Sequence, residues 1–159
     1  MSIENEQLVF DEEEEDTTKD QYLTFDIDEE TYGIEIANVK EIIGVSTVSI
    51  TKVPDTPVYL KGIMNLRGDI IPVIDVRTRF MKPERPYDEL TCIVVIVYGN
   101  YIIGLIVDNV REVMHIDESN VFPPPNAKLN RYNQFIRNIG MTDGNINLLL
   151  DLDRFLEQD

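Results

Sequence analysis

The chain has no tryptophan, one cysteine and one histidine in 159 residues, and 14 lysines and arginines against 30 aspartates and glutamates. Each shortage excludes something. A single cysteine, Cys92, rules out an intrachain disulfide, and its place in the apolar run Thr91-Cys-Ile-Val-Val-Ile-Val97 reads as a small buried hydrophobe with no activating neighbour. The one histidine, His115, has no cysteine or second histidine beside it, so neither a metal centre nor a nucleophile–base pair is expected there. The few bases are scattered, with Arg77, Arg79 and Lys82 the closest group, and no basic stripe offsets the net charge of −16. That balance argues against nucleic acid and disfavours an anionic membrane surface. No apolar run approaches the length of a membrane span, and no signal-peptide core or Gly-rich phosphate loop is present. The expectation is a soluble, cytoplasmic, non-enzymatic protein with no cofactor and no metal.

What is abundant is acid, and it is concentrated. Residues 1–20 carry nine acids and one lysine, a charge of −8, and the other 139 carry 21 acids and 13 bases, also −8. Asp11 to Asp16 is an unbroken acidic run, so residues 1–20 read as a disordered acidic tail outside the folded part.

The folded part repeats itself. Tyr32-Gly-Ile-Glu-Ile-Ala-Asn-Val-Lys-Glu-Ile-Ile43 returns 71 residues later as Ile103-Gly-Leu-Ile-Val-Asp-Asn-Val-Arg-Glu-Val-Met114. Gly68-Asp-Ile-Ile-Pro-Val-Ile-Asp75 returns 76 residues later as Gly144-Asn-Ile-Asn-Leu-Leu-Leu-Asp151. Self-similarity of this kind sets the architecture: two related modules, each marginal alone at about 65 residues and therefore packed on each other. Alternating apolar residues predict a hairpin over 21–36, a short helical turn leading into a strand at 41–46, and strands at 48–53, 63–66 and 70–74. Further strands follow at 91–98, 101–107, 110–116, 136–141 and 145–150, with tight turns at Gly99-Asn100 and Asp143-Gly144. Asp75 and Asp151 are placed to cap short helices, the second over 151–157. Pro72 suits an edge or a bulge, and residues 123–130 form a loop. The fold class is mainly β: small antiparallel barrels over about 21–82 and 88–150, joined by the proline-containing segment 82–88.

One segment carries identity: Leu60-Lys-Gly-Ile-Met-Asn-Leu-Arg-Gly-Asp-Ile-Ile-Pro-Val-Ile-Asp-Val-Arg-Thr-Arg-Phe80. It closely resembles the signature of CheW-like chemotaxis adaptor proteins, and the resemblance extends over nearly all of residues 20–157. It implies two five-stranded SH3-like β-barrels packed together with short helices and a C-terminal helix, monomeric when free. It also implies a non-catalytic adaptor coupling methyl-accepting chemotaxis receptors to the histidine kinase CheA, whose regulatory domain has the same fold, at arrays beneath the inner membrane. The same adaptor role in a non-motility chemosensory pathway is the alternative. Mapped residue by residue, the family's coupling positions fall on Val39, Glu41 and Arg67. Asn65, Leu66, Arg67 and Gly68 form one continuous motif, and Gly62 and Gly68 frame Arg67. Val39 has a counterpart in Val110, so a core role and an exposed contact both stand open. Glu41 and Arg67 either pair with each other or reach a partner. Glu112 repeats Glu41, but Asp143 stands where the first module has Arg67, which places coupling on the first module's turn and the groove beside it.

Overall fold

The computed structural model describes residues 18–125 and 134–157. Most of the expected tail and the second part of the 123–130 loop lie outside the described residues. Among the described residues eleven strands form: β1 Gln21–Ile27, β2 Glu30–Glu35, β3 Val39–Gly44, β4 Leu60–Leu66, β5 Asp69–Asp75, β6 Cys92–Tyr98, β7 Tyr101–Val107, β8 Asn109–His115, β9 Val121–Phe122, β10 Ile136–Thr142 and β11 Asn145–Leu150. Two short helices, α1 Val76–Arg79 and α2 Leu152–Phe155, follow β5 and β11. The Asp75 side chain accepts from the Arg77 N–H and that of Asp151 from the Arg154 N–H, which caps both helices at their repeated aspartates.

The chain is mainly β, but its strands form two open sheets rather than closed barrels. One sheet runs β8-β1-β2-β11-β10-β9 and the other β3-β6-β7-β5-β4. The division does not follow the two halves of the sequence. Hairpin β1–β2 of the first repeat lies in the sheet of β8, β10 and β11, and hairpin β6–β7 of the second repeat lies with β3, β4 and β5. The repeats exchange their first hairpins reciprocally. Parallel pairing seals each exchange: β2 pairs with β11 and β5 with β7. The physical reason is the three-residue 3-10 turn Ile36–Asn38, which separates β2 from β3 and redirects the chain into the other sheet.

The expected strand at 48–53 is absent. That segment makes one antiparallel bridge, Thr51 to Ile63, and the prolines at 54 and 57 limit further pairing by removing donors. Strand β3 starts at Val39 rather than 41, and α2 is shorter than expected. Pro72 lies in β5 opposite Ile63, ahead of Val73–Asp75, which pair with β7. Its missing N–H therefore falls where the β7 side of β5 is open.

The larger core cluster lies between the sheets and centres on Phe25, Tyr32, Phe80, Phe135 and Phe155. Tyr32 and Phe80 stand 5.0 Å apart between ring centroids, and Phe80 meets Phe155 edge-on at 5.9 Å. Arg79 is buried among these rings, its guanidinium 4.4 Å from the Tyr59 ring, and its Nε donates to the Phe155 carbonyl at 2.9 Å. Another of its nitrogens, Nη2, donates to the Glu157 carbonyl at 2.8 Å. One arginine of the first repeat thus satisfies the free carbonyls that end the helix of the second. A smaller cluster of Met64, Ile71, Val73, Ile93, Val95 and Ile106 fills the five-stranded sheet.

Candidate functional site

The turn between β4 and β5 is two residues long and closes between Leu66 and Asp69. Arg67 and Gly68 both have positive φ, +50° and +92°, the pattern of a type I′ hairpin turn. Glycine adopts that geometry freely, whereas arginine does so at a cost. The Asn65 side chain supports the turn by accepting from the Gly68 N–H at 2.9 Å.

Arg67 and Glu41 pair with each other. Nη1 donates to Oε2 at 3.0 Å and Nη2 to Oε1 at 2.8 Å, a two-pronged guanidinium–carboxylate contact. The hydrogen bonds from Arg67, with its charge adding, hold the Glu41 carboxyl below the usual carboxylate range. The same contact raises Arg67 above the ordinary arginine value. Strands β3 and β4 are opposite edges of the five-stranded sheet, so this pair joins across a gap that no backbone ladder spans. The arginine side chain remains 67% exposed while holding the carboxylate, so its outer face is available to a partner.

The other expected coupling residues divide by role. Val39 is half-buried and packs on the main core, and Leu66 is half-buried against the smaller cluster. Gly62 lies in β4 at a register shift, with φ +153°. A β-carbon there would stand 2.1 Å from the Thr51 carbonyl oxygen, so glycine is what lets the 50–51 segment lie against β4. Gly68 has open space around it, and its requirement is the turn alone.

Beside the turn lies a groove of about 920 Å³ between the start of β5, the β6–β7 turn and the end of α2. Ile70 and Tyr101 stand on its rim, 63% and 70% exposed. It opens because β5 and β7 pair only from Val73 and Gly104 onward and diverge before that.

Sequence reasoning missed a partly buried ion-pair network at the end of β5 away from the turn. Arg77 donates to Asp108 at 2.9 Å and to Asp28 at 2.6 Å, and Arg85 reaches the same Asp108 oxygen at 3.1 Å. Burial works against the charge on Arg77, but the two carboxylates outweigh it and raise its pKa. Tyr87 donates to Asp75 at 2.9 Å and is pushed up by burial first and by that carboxylate second. The network ties the first hairpin turn, α1 and the 82–88 segment together. Its sequence signals were Asp75 and Arg77 inside the long motif and Asp108 inside the repeat. Among the described residues no side-chain nitrogen or oxygen is both buried and without a partner.

The family model described as the CheW-like domain matches residues 21–159. The chain belongs to the CheW-like family. It is similar to the chemotaxis protein CheW of Klebsiella aerogenes, 31% identical over 144 residues that cover 91% of this chain and 86% of the relative. It is also similar to CheW of Helicobacter pylori, 30% identical over 139 residues, 87% and 82% of the two chains. Among solved structures it resembles the scaffolding protein TtCheW from Thermoanaerobacter tengcongensis, with a TM-score of 0.80, 37% identity, and coverage of 88% and 94%. CheW-like proteins are non-catalytic adaptor scaffolds of chemotaxis, and this family member is not an enzyme. No described helix is long and apolar enough to cross a membrane.

Proposed function

We propose that this CheW-like chain couples the signalling tips of methyl-accepting chemotaxis receptors to the regulatory domain of the histidine kinase CheA, in arrays beneath the inner membrane. The observation that carries the reading is the Arg67 turn, held by Glu41 and standing next to an apolar groove. Receptor tips are helical, and an apolar groove accepts helix side chains in the way grooves receive amphipathic segments. The exposed outer face of Arg67 then supplies a fixed polar contact at the groove's end. Binding receptor and kinase at once raises the effective concentration of each for the other, so modest affinities suffice for a stable assembly. On this reading Arg67, Gly68 and Glu41 form the coupling surface. Asn65 sets the turn, and Val39, Leu66 and Gly62 hold the framework beneath it.

Co-sedimentation with a receptor signalling fragment and CheA, with kinase activity as the readout, tests the proposal. The wild-type chain is expected to form a ternary complex that activates the kinase. Arg67→Ala is expected to keep its circular-dichroism spectrum and cooperative melting but to lose receptor-dependent activation. A folded Arg67→Ala protein that couples normally removes Arg67 from the site, and absence of any ternary complex with the wild-type chain removes the coupling function.

A further inference from the structure

The groove beside the Arg67 turn lies close to where the first strand begins. Tyr22, the second residue of β1, lines a narrow pocket of about 190 Å³ together with Tyr98, the last residue of β6. Tyr98 also lines the groove. One small pocket therefore separates the start of β1 from it. Residues 1–17 precede the first described residue, and every charged side chain among them is acidic. Their longest apolar run is Leu8-Val9-Phe10, and the acidic run Asp11 to Asp16 follows it directly. The eight residue steps from Phe10 to Thr18 span up to about 27 Å when extended. The groove suits apolar side chains better than acids. Ile70, Pro72, Tyr101 and Leu156 line it, and among the described residues Asp69 is the one charged residue in its lining. Its volume of about 920 Å³ accommodates several side chains.

We propose that Leu8-Val9-Phe10 of the same chain dock in this groove and compete there with the partner helix. Place and length select the occupant, since the chain enters β1 beside the groove with enough residues in hand to turn back to it. The acidic run serves as the spacer: like charges repel one another and extend the segment that must bridge the distance. Charge does not drive the contact. Residues 1–20 and the other 139 each carry −8, so electrostatics oppose docking and burial of the apolar side chains favours it. Tethering supplies an effective concentration on the order of 1 mM. A segment of roughly millimolar intrinsic affinity is then docked in about half of the chains, which leaves about half of the grooves open to a partner. The competition, but not the docking, rests on the coupling role proposed above.

The test is a nitroxide attached at Gln7→Cys in the full ¹⁵N-labelled chain carrying Cys92→Ser. Broadening of the Ile70, Tyr101 and Leu156 amides is expected within one molecule. It should disappear in the Leu8→Ser/Val9→Ser/Phe10→Ser chain, which keeps the same tether, and in Tyr101→Ser, whose side chain is exposed enough for the protein to fold without it. Raising the salt to about 0.5 M screens the repulsion and should preserve or strengthen the effect. Absence of broadening, the result if residues 126–133 or nothing covers the groove, overturns the proposal. So does broadening that survives the triple substitution, that salt abolishes, or that appears only between a nitroxide-labelled chain and a separate ¹⁵N-labelled one, which would make a second copy the occupant. With a receptor signalling fragment, the triple variant is expected to bind about twofold tighter than the wild type. Equal affinity despite docking overturns the competition. If neither chain binds the fragment, the coupling role fails and the broadening alone decides the docking.

Discussion

Arg67 pays for a left-handed backbone that its neighbour glycine adopts freely, and in return its guanidinium meets Glu41 squarely. The residue type is therefore set by the contact and not by the turn. The pair has a defined pH window. Glu41 has a folded pKa below its unfolded value of about 4.3, so what it adds to the fold is complete above that pH and is lost as pH falls through the lower, folded value. A carboxyl NMR titration is expected to find Glu41 among the low-titrating glutamates, with its midpoint rising in Arg67→Ala; an unmoved midpoint would show that the hydrogen bonds do not form in solution. Gly62 makes the opposite case, a family motif residue explained by packing. Gly62→Ala drives a β-carbon into the Thr51 carbonyl, which is backbone and cannot swing aside, and should cost about 2 kcal/mol or more by urea unfolding. The sequence placed both residues in one motif, but only the pairing of Thr51 beside β4 separates their roles.

At the scale of elements, the hairpins were the most legible part. Two-residue turns flanked by apolar strand-like runs gave β6–β7 and β10–β11 nearly to the residue, because a local turn and a local pattern agree there. The 48–53 segment failed because its alternation is real but its pairing is not: it makes one bridge, Thr51 to Ile63 beside β4. The Asn65 turn support belongs to this scale. Asn65→Ala should leave the sheets intact and cost about 0.5–1 kcal/mol, seen as a lowered urea midpoint and faster exchange of the Gly68 amide. The Arg67–Glu41 bond acts between elements too, since it links two strands that are not neighbours in any ladder.

At the scale of the whole molecule, the exchange of hairpins makes the repeats inseparable. A chain ending after the first repeat would keep β3, β4 and β5 without the β6–β7 hairpin they pair with, and its β1–β2 hairpin would have no sheet to join. Residues 1–82 and 83–159 expressed separately are therefore expected to be unfolded by circular dichroism and to form a folded one-to-one complex when mixed. An independently folded half, melting cooperatively alone, would contradict the exchange. The buried Arg79 and the Arg77–Asp108 pair cross the same boundary, so the two halves share a polar framework as well as a core.

Composition, the repeat, the two helix caps and the family motif were all determined by the sequence alone, because each rests on residue type at a fixed local spacing. Three things were decided only by tertiary structure. The strands sort into open sheets by exchange, since the short turn after β2 sends the chain across to the other module. Glu41 and Arg67, 26 residues apart, face each other because the sheet brings its two edges together. Glu112 and Asp143 line one cleft because the fold brings β8 and the β10–β11 turn together, and there the chain places two negative charges where its other module places a pair of opposite sign.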